Sequence, residues 1–186
     1  MKHDEYVGAM TDWQNFNSDM KQYSISMSAL TEPYNKEQLD YFVYTALWTE
    51  LKPHHMVSDP VLVKYFDLNT CTLEDSNGVT STSVELTIND SCVVSGVAGW
   101  FTVDFKGSPS VPAINPVTLT TGPEGGYTHW GQQVFYFLEP EDGSIGDTLK
   151  GSVEMVRQQR NQRLYNVRLE YTFNEKKKIS AIYEMP

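Results

Sequence analysis

The chain has 186 residues, 40% of them hydrophobic and 20% charged, with a formal net charge of −10 at pH 7. That balance excludes a disordered chain, and the acidic surplus excludes a nucleic-acid binder, which needs a basic stripe against phosphates. No apolar run approaches the length of a membrane span.

The first residues, Met-Lys-His-Asp-Glu-Tyr, have no apolar stretch behind them, so they do not form a secretory signal. Tyr6, Met10, Trp13 and Met20 then recur near a 3.6-residue period, which predicts a helix. A second helix is expected after Pro33. Asn35 is its N-cap, Gln38 completes a capping box, and Leu39, Phe42, Val43, Ala46 and Leu47 form its apolar stripe. Pro53 is expected to end the run.

Beyond Pro60 the period becomes two. Val84, Leu86 and Ile88 alternate with Ser83, Glu85 and Thr87, and Phe101, Val103 and Phe105 with Thr102 and Asp104. Val134, Tyr136 and Leu138 follow the same rule, as do Tyr165, Val167, Leu169, Tyr171 and Phe173. Such alternation marks antiparallel strands with one buried and one wet face. Turns are expected at Ser76-Asn77-Gly78, Gly107-Ser108-Pro109, Gly122-Pro123, Gly125-Gly126 and Glu141-Asp142-Gly143. The stretch from Pro109 to Pro116 carries three prolines and is expected to be a loop excursion. Lys176–Lys178 is expected to be a solvated edge or turn. Together these runs predict a sandwich or barrel.

Cys71 and Cys92 offer neither metal-ligand spacing nor a disulfide framework; both are expected to be reduced and partly buried. The informative segment is Gly122-Pro123-Glu124-Gly125-Gly126-Tyr127-Thr128-His129-Trp130, where a glycine-rich turn delivers a His-Trp pair to the start of a strand. A histidine can pair with a carboxylate, and an indole can stack on a guanidinium. By spacing alone, two readings stand: these residues face a ligand, or His129 caps a turn and Trp130 packs the end of the sheet.

Thr128-His129-Trp130 followed by Gln133-Val134-Phe135 resembles the Thr-His-Trp loop of the protein arginine methyltransferases. The flanks agree in order. Gly99-Trp100-Phe101-Thr102-Val103-Asp104-Phe105, Leu119-Thr120-Thr121-Gly122-Pro123 and Gly146-Asp147-Thr148-Leu149 are similar to segments of that family. Asp12-Trp13, Tyr23 to Met27, Leu30-Thr31 and Trp48 look most like its plant type-ten branch. One motif departs: where the family usually has Tyr-Gly-x-Asp-Met, this chain has Tyr23-Ser24-Ile25-Ser26-Met27.

The resemblance implies a mainly β chain: a helical lead-in over 1–12, a dimerisation arm over 13–52 and an antiparallel β-barrel or sandwich over 53–186. It implies the substrate-binding and dimerisation part of an S-adenosylmethionine-dependent protein arginine N-methyltransferase. The enzyme would make asymmetric dimethylarginine on histones or other Arg-rich proteins, as a homodimer, in the cytoplasm, the nucleus or both. Thr128, His129 and Trp130 would line the arginine slot, with His129 catalytic through a carboxylate of the cofactor domain. Trp13, Phe16, Tyr23, Met27, Leu30 and Phe42 would form the arm's contact face. The methyl donor would be bound by an N-terminal Rossmann-like domain that this chain lacks. No metal, nucleic acid or membrane is implied, and the chain alone is expected to be inactive. Glu139 and Glu141 are expected to lie in a solvated turn rather than in the family's two-glutamate hairpin. The alternative is a stand-alone regulatory module that docks on a full-length arginine methyltransferase.

Overall fold

The computed structural model describes residues 2–185, with side chains from Tyr6 onward; residues 1 and 186, the outer ends of the expected lead-in and barrel, lie outside them. Two helices come first, α1 (Lys2–Lys21) and α2 (Thr31–Phe42). α1 runs unbroken past residue 12, where the expected lead-in stops. Among the described residues nine strands follow: β1 (Leu47–Thr49), β2 (Gly78–Thr87), β3 (Cys92–Gly99), β4 (Thr102–Gly107), β5 (Pro112–Thr120), β6 (Gln132–Gly143), β7 (Thr148–Arg157), β8 (Tyr165–Phe173) and β9 (Ile179–Met185).

The helices form a hairpin that aromatic packing holds together. The Trp13 ring stacks on Tyr34 at 4.5 Å, and its indole N–H donates to Thr31 Oγ1 at 3.1 Å. α2 starts four residues before the expected cap. Pro33 falls in the first helical turn, where no N–H is needed. Asn35 is therefore inside the helix, with its Oδ1 buried and unpartnered. The helix also stops earlier than Pro53. Val43 and Tyr44 both donate to Leu39 O, and then Tyr44 and Ala46 bond the backbone of Glu184 on the last strand. Ala46 is fully buried and Val43 nearly so, hence sheet contacts outcompete continued helix.

Between the helices the chain turns through Ser24, whose φ is +59°. That is the left-handed region where the related motif has glycine. Ser26 Oγ lies 2.9 Å from Ser28 Oγ and holds the following short turn. Ser24→Gly is expected to raise the stability by roughly 0.5–1 kcal/mol by removing the Cβ penalty. Urea denaturation would show it as a higher midpoint at unchanged slope; an unmoved midpoint would mean the angle carries no cost.

All strand pairing within the sheets is antiparallel, in the orders β1-β6-β3, β2-β7-β8-β9 and β4-β5. The mainly β expectation holds, but the sheets do not close into a barrel. The three- and four-stranded sheets pack face to face. Between them lie Phe135, Phe137, Leu149, Val167, Leu169, Tyr171, Phe173 and Tyr183. Tyr171 stacks on Phe137 at 4.4 Å, and Tyr183 donates from its hydroxyl to Tyr136 O at 2.9 Å. Val84, Ile88 and the β8 residues face inward as their alternation requires. β6 follows its expected pattern only at Val134, which is buried. Phe135 and Phe137 fill the core, while Tyr136 is half-buried and Leu138 is exposed. The phase is set by the neighbours β1 and β3, not by β6's own pattern.

Two connections also differ. The proline-rich stretch is strand β5 from Pro112 onward, since a hairpin with no third strand leaves its outer N–H positions unused and tolerates Pro116. Glu139 and Glu141 lie within β6, where Glu141 pairs with Lys176 at 2.6 Å, and not in a turn. The turn itself comes later: Asp147 accepts the Ser144 N–H at 2.8 Å. Lys176–Lys178 does form the turn and edge between β8 and β9. Cys92 is half-buried, and its thiol is pushed up by burial and by the Asp90 charge, but Cys71 is exposed.

Candidate functional site

The loop from Pro123 to Gly131 leaves the β4–β5 hairpin and enters β6. Its base is Thr121, which is fully buried. Thr121 exchanges backbone and hydroxyl hydrogen bonds with Phe101, accepting the Phe101 N–H at its Oγ1 at 3.2 Å and donating that hydroxyl to Phe101 O at 3.1 Å. Its exit is Gln132, only 3% exposed. The Gln132 side-chain amide donates to Thr121 O at 2.6 Å and accepts the Leu51 N–H at 2.7 Å. One buried side chain thus ties the loop's two ends to the segment after β1.

Gly131 makes the turn possible. Its φ is +52°, and a Cβ there would lie 2.6 Å from the Trp48 indole nitrogen and 2.9 Å from Thr49 O. Its N–H is shared between the carbonyl (3.2 Å) and hydroxyl (3.3 Å) of Thr128. Thr128 therefore shapes the loop from within, whereas His129 and Trp130 point outward and are both exposed.

The Trp130 ring meets Phe101 edge to face at 5.7 Å, and the His129 ring lies 6.4 Å from it. Among the described residues, no hydrogen bond to either His129 nitrogen is present. His129 does not cap the turn, since Thr128 does that work. Trp130 is 54% exposed and Phe101 43%. The apolar face continues outward along the hairpin through the cross-strand pairs Val103–Leu119 and Phe105–Val117. Phe105 and Val117 are more than half exposed, so the alternation of β4 is real but its apolar face is open. Asp104, on the opposite side, is held below the usual carboxylate range by hydrogen bonds from Lys106 and Thr118.

Of the six expected arm residues, Phe16, Tyr23 and Leu30 are exposed, while Trp13, Met27 and Phe42 are half-buried. Trp13 serves the hairpin's own packing. The arm and the loop are separate surfaces. Gln132, Gly131, Trp48 and Phe101 were not legible as parts of the site. A glutamine opening a strand carries no pattern of its own, and Trp48 reads as the end of a helix.

These residues do not fit a methyl-donor site. A nucleotide-like donor is usually held where a strand runs through glycines into a helix N-terminus. Here Gly96 and Gly99 lie in β3, and Gly125 and Gly126 lead through the loop into β6.

Comparison with known proteins places this geometry. The family of the arginine methyltransferase oligomerization subdomain matches residues 1–176. Protein arginine N-methyltransferase PRMT10 of Arabidopsis thaliana is 35% identical over 94% of this chain and 46% of its own length. PRMT10 of Oryza sativa subsp. japonica is 36% identical over 90% and 44%. The chain spans about half the length of the curated relatives it matches. The crystal structure of Arabidopsis thaliana protein arginine methyltransferase 10, described as a uniquely open conformation, superposes with a TM-score of 0.84 at 33% identity, covering 98% of this chain and 54% of that one. A Trypanosoma brucei PRMT1 enzyme-prozyme complex shares the fold, with a TM-score of 0.70 at 17% identity over 83% and 46%.

Proposed function

The chain belongs to the protein arginine methyltransferase family, as its oligomerization subdomain, and from that premise we propose that it forms the substrate-side wall and dimerisation arm of an S-adenosylmethionine-dependent protein arginine N-methyltransferase. The substrates are histones or other Arg-rich proteins, the product is asymmetric dimethylarginine, and the enzyme acts in the cytoplasm or nucleus. The methyl donor sits on a cofactor domain outside this chain, so the chain alone does not turn over. The observation that carries this reading is the outward pair His129–Trp130 on a loop locked by Gln132.

An exposed indole backed edge-on by Phe101 offers its free face to a guanidinium, which stacks on aromatic faces. An imidazole without an internal partner is available to a carboxylate across the interface, orienting the group that grips the substrate arginine. The open face of β4–β5, continuous with Trp130, is where the cofactor domain would rest. Residues 13–52 form the arm, with Phe16, Tyr23 and Leu30 as the contact face toward a second subunit.

The test is the native polypeptide from source cells. It is expected to run near twice the 21.2 kDa of this chain, since a cofactor domain adds on the order of 150–200 residues. It is also expected to transfer methyl groups to an Arg-rich peptide. In that polypeptide Trp130→Ala and His129→Ala are each expected to lower kcat/KM about tenfold or more, with little change in stability because both side chains are exposed. A native product at 21.2 kDa with no methyl transfer would overturn the reading.

A further inference from the structure

The free edge of β9 borders an open groove of about 550 Å³, lined by Asp40, Tyr44, Thr45, Ser180, Ile182 and Glu184 among others. β9 is the last strand of its sheet, and residues 44–46 cover only one point of its outer edge. The Glu184 N–H donates to Tyr44 O, and Glu184 O accepts the Ala46 N–H, both at 2.8 Å. Glu184 therefore points its backbone away from β8. In a strand that direction alternates, so Ser180 and Ile182 also point theirs outward, into the groove. Among the described residues no backbone group meets them. Ile182 is half exposed.

The groove's chemistry is one-sided. Asp40 and Glu184 supply carboxylates at its rim. The C-terminus of α2 ends there, adding the negative pole of its dipole. Asn166 lies at the floor with its Oδ1 buried and without a hydrogen-bond partner. Two cations on the same sheet face are already engaged: Arg168 with Glu154 at 3.6 Å and Lys178 with Glu170 at 2.6 Å.

We propose that this edge is a second docking site, which takes an extended, arginine- or lysine-bearing peptide segment as an added strand beside β9. Backbone hydrogen bonds from Ser180 and Ile182 would hold the segment, and Asp40 and Glu184 would select its positive side chains. An acidic peptide or an apolar strand could meet the backbone requirement but not the charge requirement. That the occupant is the flank of a methylation substrate rests on the function proposed above; the binding itself does not.

The test is fluorescence anisotropy of a labelled twelve-residue Arg/Gly peptide with the 186-residue chain. Binding is expected to weaken with salt. Asp40→Asn with Glu184→Gln is expected to lower the affinity about fivefold, from two partly screened charge contacts. Ile182→Pro removes one outward N–H without touching the β8 ladder, and is expected to cost a similar factor. Glu85→Gln with Asp90→Asn, at the far edge of the sheet, is expected to leave binding unchanged. Equal loss in the far-edge variant, or retention of full affinity in both groove variants, would overturn the site. Loss confined to Trp130→Ala would overturn it while leaving the proposed function standing. Normal groove binding by a chain whose native form transfers no methyl groups would do the reverse.

Discussion

Gln132→Leu is expected to destabilise the chain by about 2–4 kcal/mol, although a leucine is close in size and more apolar. The side chain is buried and hydrogen-bonded at both ends, with its amide nitrogen donating to Thr121 O and its oxygen accepting the Leu51 N–H. Leucine fills the volume but leaves the buried Thr121 carbonyl and the half-buried Leu51 N–H without partners, each costing roughly 1–3 kcal/mol. Gln132→Glu separates the two halves of the effect. It keeps an acceptor for Leu51 but sets a buried carboxylate oxygen against Thr121 O, so a loss at least as large as that of leucine is expected near neutral pH, and a smaller one in acid, where the protonated carboxyl regains a donor. Urea denaturation followed by tryptophan fluorescence measures both, and Trp48 and Trp130 flank the site closely enough to report local loosening. If the leucine variant is as stable as the parent, the two hydrogen bonds do not hold the loop and the site's rigidity has another origin.

Gly151→Ala is expected to cost about 3 kcal/mol or more. Gly151 sits in β7 opposite Val84 on one side and Tyr171 on the other. An added Cβ would lie 1.9 Å from Glu170 O and 2.8 Å from Tyr171 Cα. These are backbone atoms of the neighbouring strand, so no rotamer change relieves the clash and the β7–β8 ladder must open locally. Opening displaces Tyr171, which stacks on Phe137 in the middle of the core. The damage therefore spreads from one ladder position to the packing between the sheets. A variant that denatures with the parent's midpoint would show that the strands have room to separate. As a control, Gly146→Ala changes a glycine with nothing within 4 Å of its would-be Cβ. Its φ of +91° still carries a cost, but no core contact is lost.

The two variants probe different layers of the molecule. Gln132 positions His129 and Trp130 without touching any proposed ligand. Under the proposed function, its substitution in the native polypeptide should lower methyl transfer through the loop's position, and that loss should track the loss of local order. Gly151 holds the platform beneath all the strands, and its substitution should affect stability first.

The amino-acid sequence by itself determined the class of fold. Alternation in β2 and β8 is a local property of Val84, Ile88, Val167, Leu169, Tyr171 and Phe173, and their inward faces follow from it. The loop's place at a strand entrance, and the likeness of Thr128-His129-Trp130 and its flanks to one family, were also legible, because a glycine-rich turn before an aromatic strand is written in adjacent residues. Ser24 stood out against the family's glycine, and its positive φ agrees. Tertiary structure alone decided where contacts between distant segments compete with local pattern. α2 ends at Phe42 because Tyr44 and Ala46 gain partners on Glu184, some 140 residues away in sequence. The phase of β6 was decided by its pairing with β1 and β3, which buries Phe135 and Phe137 rather than Tyr136 and Leu138. The roles of Gln132 and Gly131 arise only when Leu51, Trp48 and Thr121 are brought beside them. Whether the sheets close was likewise beyond the strand pattern. Closure depends on which edges find a partner, and the structure leaves the β9 edge and the β4–β5 hairpin open.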